Sequence, residues 1–157
     1  MQTVPDRLRV LFLCTASSSR SQMAQGWAEQ LRGDLVISCA AALESRPLDA
    51  FAVKVMAEVG VDLVGQRCRS FDEIEVDGFD VVVTFGEPGD EAVQRDAAAR
   101  FVGCGARHVE ADIDCPARLA AQDRSDEEIL IHYRRVRNQL KQWIENLPLA
   151  LEGAAVE

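Results

Sequence analysis

The stretch "VLFLCTASSSRS", residues 10–21, sets an unbroken apolar run against a serine-rich turn that ends in arginine. The run "VLFLC" reads as a strand buried on both faces, because continuous rather than alternating apolar residues mark a sheet covered on each side. Behind it, Thr15, Ala16, Ser17, Ser18 and Ser19 separate Cys14 from Arg20, and Ser21 follows. A turn leading from a strand end into a helix aims its backbone amides at one spot, and the helix adds its positive end there. Arg20 brings a fixed charge whose planar fork suits two oxygens of a tetrahedral anion. These surroundings predict that the Cys14 thiol loses its proton well below the ordinary value of about 8.5, with Ser21 donating a hydrogen bond to the sulfur. A nucleophile then lies beneath an oxyanion hole, with residues 15–20 as the anion-binding set.

Three further runs read as strands beside the first, "LRVLFL" (8–13): "LVISCA" (35–40), "FDVVVTF" (79–85) and "ARHVEA" (106–111). Helical spacing lies between them. In 20–32, Met23, Trp27 and Leu31 fall four apart beside Ala24 and Ala28, and Gly33 stops the helix. In 49–59, Phe51, Val55 and Val59 repeat the pattern behind Asp49 as N-cap. The alanine-rich stretch 89–99 forms a third helix. In the last helix Ser125 and Glu128 make a capping box, and Ile129, Tyr133, Val136, Leu140, Trp143 and Leu147 form a stripe ended by Pro148. His132 in that helix reads as a solvated or boundary residue rather than a ligand, and 149–157 as a frayed tail.

Four alternations of strand and helix predict an α/β fold: a three-layer sandwich with a four-stranded parallel sheet and helices on both faces. No linker, repeat or low-complexity segment interrupts residues 1–157, so they read as a single domain. Ligands of such sheets sit at the carboxyl ends of the strands where the order reverses, which is where Cys14 falls.

The chain carries 17 basic and 26 acidic residues, a net charge of −9, which makes nucleic acid and anionic membrane poor partners. Its apolar runs are too short for a membrane span or a signal core. The five cysteines (14, 39, 68, 104, 115) are odd in number and hold no C-x-x-C pair, which speaks against a disulfide framework and a metal site. The expectation is a reduced, cytoplasmic protein without metal, in which Cys39 and Cys68 are small buried apolar residues.

"VLFLCTASSSRSQMAQGW" resembles the phosphate loop of the low-molecular-weight protein tyrosine phosphatases and of the arsenate reductases that share their fold. "QMAQGW" after Arg20-Ser21, where the phosphatases usually place proline, is similar to the reductase branch. The resemblance continues through "DAFAVKVMAEVGVDL" (49–63), "FDVVVTF" (79–85) and "YRRVRNQLKQWIENL" (133–147). It implies a phosphatase-like fold, Cys14 as nucleophile, and Arg20 and Ser21 as catalytic partners.

Three departures from that pattern bear on function. Ala16 and Ser17 stand where the family usually has glycine and asparagine, and Ser19 where it has a second loop cysteine. An alanine at a position needing positive φ is strained. The family's general acid is an aspartate directly before a proline, but here Cys115 precedes Pro116 and Asp114 lies one residue earlier, its side chain turned to the other face of an extended segment. Asp114, or less directly Asp112, is the candidate acid. The two later cysteines of thioredoxin-coupled reductases are replaced by Gly86 and Val93.

The resemblance therefore implies an arsenate reductase-like enzyme in which Cys14 attacks the oxyanion and a second thiol releases arsenite. That thiol is Cys115, Cys104 or a small cellular thiol, with thioredoxin or a glutaredoxin-type partner restoring the enzyme; no bound cofactor is implied. A low-molecular-weight phosphatase with a displaced acid is the alternative. A non-catalytic oxyanion-binding module, with the loop kept and the later machinery lost, is the third.

Overall fold

The computed structural model describes residues 7–14, 19–43, 47–66, 69–85, 89, 91–147 and 155–156. In chain order the elements are β1 (Leu8–Cys14), α1 (Ser19–Arg32), β2 (Val36–Ala42), α2 (Ala50–Ala57), β3 (Arg69–Ser70), β4 (Val81–Phe85), α3 (Glu91–Gly103), β5 (Arg107–Glu110), α4 (Pro116–Leu119), α5 (Asp126–Glu145) and β6 (Ala155–Val156). The sheet runs β3-β2-β1-β4-β5-β6. The first five strands are parallel, and β6 pairs antiparallel to β5, with Val109 opposite Ala155.

Strand β1 owes its central place to its sequence. Val10 through Cys14 are fully buried, and alternate residues enter opposite layers. Val10, Phe12 and Cys14 pack with Met23, Ala24 and Trp27 of α1, with α2, and with Val136 and Leu140 of α5. Leu11 and Leu13 face Ala97, Ala98 and Phe101 of α3. The expected three-layer α/β architecture is present. Because β1 has β2 on one side and β4 on the other, the chain order reverses at its carboxyl end, the position where such sheets take their ligands.

The sheet exceeds the four expected strands. The additions, β3 and β6, are two-residue pairings at the edges, too short to carry a period in sequence. Ala155–Val156 correct the expectation of a frayed tail at that point; residues 148–154 and 157 lie outside the described residues.

The helix caps follow the expected chemistry, but the buried faces are rotated. Asp49 caps α2, its Oδ1 accepting from the amides of Phe51 (3.0 Å) and Ala52 (3.4 Å). The helix ends at Ala57, so Val59 falls in the following turn and is exposed, and Ala52, Val55 and Met56 form the buried face. Gly60, at φ +81, closes that turn in the left-handed region. Ser125 accepts from the Glu128 amide at 3.2 Å. On α5 the fully packed face is Leu130, Tyr133, Val136, Leu140 and Ile144, with Ile129 and Trp143 only partly covered. The helix meets α1, α2 and α4 at once, and the buried arc is wider than one stripe. Among the described residues no helix is long and apolar enough to cross a membrane.

Leu140 is fully buried and Ile131 is 61% exposed on the same helix. Leu140→Ala should cost about 2–5 kcal/mol in urea unfolding through its lost contacts and cavity, whereas Ile131→Ala should stay within about 0.5 kcal/mol.

Candidate active site

The candidate site is built at the carboxyl end of β1. Cys14 pairs in register with Ala42 of β2 and Phe85 of β4, so its backbone is held from both sides. Helix α1 begins five residues later. Its first turn reaches back: the Ser21 amide donates to Cys14 Sγ at 3.2 Å, and the Ser21 hydroxyl also hydrogen-bonds the sulfur. The amides of Thr15, Ala16, Ser17 and Ser18 lie outside the described residues, as does the backbone of Ala16, where strain was anticipated.

Arg20 is fully buried, and its Nη1 donates to the Ile113 carbonyl at 3.1 Å. That carbonyl belongs to the segment following β5, which is tied to the sheet by the Ala111 amide bonding the Thr84 carbonyl at 3.1 Å. The same segment carries Asp112, Asp114 and Cys115. Cys115 is buried and occupies the N-cap of α4 before Pro116, without making a side-chain capping bond. A charge on it is felt at Cys14 and at Tyr133.

Asp114 faces elsewhere. Its Oδ2 accepts from Gln139 Nε2 at 3.0 Å and lies 3.6 Å from Arg135, while its amide donates to Gln139 Oε1 at 3.3 Å, so the carboxyl is held against α5. The residue that interrupts the expected aspartate–proline pair has turned the nearest acid away. Asp112 is exposed.

Electrostatics correct the expectation of a strongly acidic thiol. Burial pushes Cys14 above its ordinary value, and the Arg20 guanidinium and the Ser21 hydrogen bonds pull it back only in part. The loop pattern in the sequence displays the positive charge and the helix end. The cost of sealing the sulfur in the layer of α1, α2 and α5 becomes visible only once these helices are packed on the sheet.

Composition and spacing identify Asp49 as a helix cap, but its carboxylate does more. While Oδ1 caps α2, Oδ2 accepts from Ser19 Oγ at 2.5 Å and from the Tyr133 hydroxyl at 2.7 Å. Gln22 Oε1 takes the Asp49 amide at 3.3 Å. One side chain thus joins the start of α1, the start of α2 and the middle of α5 beside the site. Burial and the Asp49 carboxylate push the Tyr133 hydroxyl well above the ordinary phenol range, which keeps it a donor. A sequence signal existed: Tyr133 carries the one hydroxyl in the apolar stripe of α5, and a buried hydroxyl needs a partner.

The other cysteines are apart. Cys39, on β2, is only partly buried and packs against the α3 layer. Cys104 is exposed in the turn before β5, at the amino end of the strands beside Asp77 and away from the segment that bears Asp112, Asp114 and Cys115. Cys68 and Gly86 lie outside the described residues, and Val93 is exposed on α3. His132 sits 3.1 Å from Asp123 on the surface of α5. Among the described residues, no group of three or more His, Cys, Asp or Glu side chains is placed to hold a metal ion.

Comparison with known proteins adds the following. The family model described as "Low molecular weight phosphotyrosine protein phosphatase" matches residues 9–155. An arsenate reductase of Bacillus subtilis is 35% identical over 141 residues, spanning 87% of this chain and 94% of that protein. A glutaredoxin arsenate reductase of Synechocystis is 30% identical over 147 residues, 88% of this chain and 95% of the other. A solved arsenate reductase in its phosphate-binding state superposes with a TM-score of 0.71 at 28% identity, covering 92% of this chain and 98% of that one.

Because burial holds the Cys14 thiol above its ordinary value, thiolate accumulates at higher pH than it does for an unperturbed cysteine. The ultraviolet thiolate signal, taken as wild type minus Cys14→Ser, should show a midpoint on the alkaline side of an unperturbed cysteine. Arg20→Met removes the largest opposing influence and should move that midpoint further up.

Proposed function

The chain belongs to the low-molecular-weight phosphotyrosine protein phosphatase family, and from that premise we propose that it reduces arsenate, with Cys14 as nucleophile. The observation that carries this is the buried pairing of Cys14 with the first turn of α1: the Ser21 amide on the sulfur and a fully buried guanidinium at the preceding residue. Buried cations are stable only when oxygen ligands surround them. A tetrahedral dianion supplies such ligands, and Ser19, Arg20, Ser21 and the amides of residues 15–18 are its proposed binding set.

The raised thiol suits this substrate. An arsenate dianion is itself basic near neutral pH. As it binds, the Cys14 proton passes to an arsenate oxygen, the sulfur–arsenic bond forms, and the arsenic–oxygen bond breaks to release water. Protons and charge balance within this pair, so the step draws on no protein acid. A phosphatase must instead expel an alkoxide or phenolate, and losing a positioned acid costs such a step typically a factor of 10² to 10⁴. With Asp114 committed to Gln139 and Arg135, that chemistry is the weaker fit. A second thiol then reduces the arsenic from As(V) to As(III), and an external thiol, of the thioredoxin, glutaredoxin or small-molecule kind, restores the enzyme. No bound cofactor is required, and the cytoplasm provides the reducing setting.

The test is arsenate-dependent oxidation of a thiol donor, measured beside aryl phosphate hydrolysis. Cys14→Ser should abolish arsenate turnover with the fold intact, because a neutral hydroxyl lacks the nucleophilicity of sulfur. Arg20→Lys should weaken arsenate binding about 10- to 100-fold, since one charge-assisted hydrogen bond contributes about 1.5–3 kcal/mol and an ammonium cannot grip two oxygens at once. Full turnover by Cys14→Ser would overturn the proposal.

A further inference from the structure

We infer that Cys115 is the thiol that resolves the Cys14–arsenic adduct, an assignment that rests on the arsenate-reducing function proposed above. Reducing As(V) to As(III) takes two electrons, which two thiols supply by becoming one disulfide. Cys14 is the first. The fold leaves one candidate for the second among the described cysteines. Cys39 packs into the α3 layer, whereas Cys14 belongs to the layer of α1, α2 and α5. Cys104 sits at the opposite end of the sheet. Cys115 lies at the same end as Cys14, buried, two residues beyond the carbonyl that holds Arg20.

Three observations converge on that position. The segment bearing Cys115 is anchored to the active-site arginine, so its distance from Cys14 is set by the site itself rather than by a wandering loop. Cys115 and Cys14 lie within each other's electrostatic reach. Asp114, the neighbour that would carry an acid function, is drawn off to α5, and the side chain presented before Pro116 is the thiol.

The step balances without another reactant. Cys115 sulfur attacks Cys14 sulfur as the sulfur–arsenic bond breaks. The electrons of that bond stay with arsenic, which departs as arsenite, and the Cys115 proton goes to an arsenite oxygen. Cys14 and Cys115 are left as a disulfide, which the external thiol reduces in the next turnover.

The test is a single turnover of the reduced protein with arsenate and no added thiol. Wild type should release about one arsenite per chain, lose two titratable thiols and yield a crosslinked Cys14–Cys115 peptide. Cys115→Ser should release at least about tenfold less and keep its thiol count above that of wild type, and added dithiothreitol should restore its turnover, which shows the variant is folded and the site competent. Cys39→Ser combined with Cys104→Ser should leave the burst intact. A burst that survives Cys115→Ser, or a wild type that turns over only with dithiothreitol, overturns the assignment while leaving arsenate reduction standing. A wild type that releases no arsenite with any thiol overturns both.

Discussion

A guanidinium with no solvent exposure, set in the first turn of a helix, is the constraint around which this molecule is arranged. Water cannot stabilise that charge, so oxygens gathered around it must. The Ile113 carbonyl is one such partner, and it obliges the segment after β5 to fold over the end of β1. The same requirement explains how an acidic chain of net charge −9 would attract the proposed anion: the attraction is local and dry, where the surrounding negative charge is screened or distant. It also accounts for the tension at Cys14, since the burial that would strengthen the arginine's pull on an oxyanion also raises the thiol proposed to attack it.

The scaffold keeps that charge in place through Asp49. A single carboxylate caps α2 and receives hydroxyl donors from Ser19 on α1 and Tyr133 on α5, while Trp27 Nε1 donates to the Arg137 carbonyl at 3.1 Å further along the same helix pair. Across the sheet, Thr84 Oγ1 meets Gln94 Oε1 at 2.7 Å and His108 Nε2 at 2.8 Å, joining β4, β5 and α3 beneath the strand ends. Burial pushes His108 below its ordinary value and so favours the neutral ring in this network. Both faces of the sheet are therefore closed by polar contacts directly below the site, and satisfied buried networks rigidify what they connect.

Much of this was legible in the residues. The unbroken run before Cys14, the capping residues Asp49 and Ser125 and the four-residue spacing of Met23 and Trp27 each act locally, and each produced the element it implied. Edge strands of two residues carry no period to read, and the buried face of a helix that touches three others is decided by its neighbours rather than by its own stripe. At the site, the cysteine–arginine spacing pointed to the meeting of Cys14 with the first turn of α1, and the displaced aspartate showed where the resemblance would weaken. The second role of Asp49 and the raised thiol depend on which chains pack together, a property of the assembled layers that one linear pattern does not contain.

The central claim is that a tetrahedral anion binds between Arg20 and Cys14. A crystal structure of the reduced protein grown in phosphate examines it directly. The account predicts phosphate oxygens about 3 Å from the Arg20 guanidinium, accepting from the Ser21 end of the loop, with phosphorus facing Cys14 Sγ. Density for phosphate elsewhere on the surface, with the space above Cys14 closed to it and Arg20 satisfied by protein carbonyls alone, would contradict it.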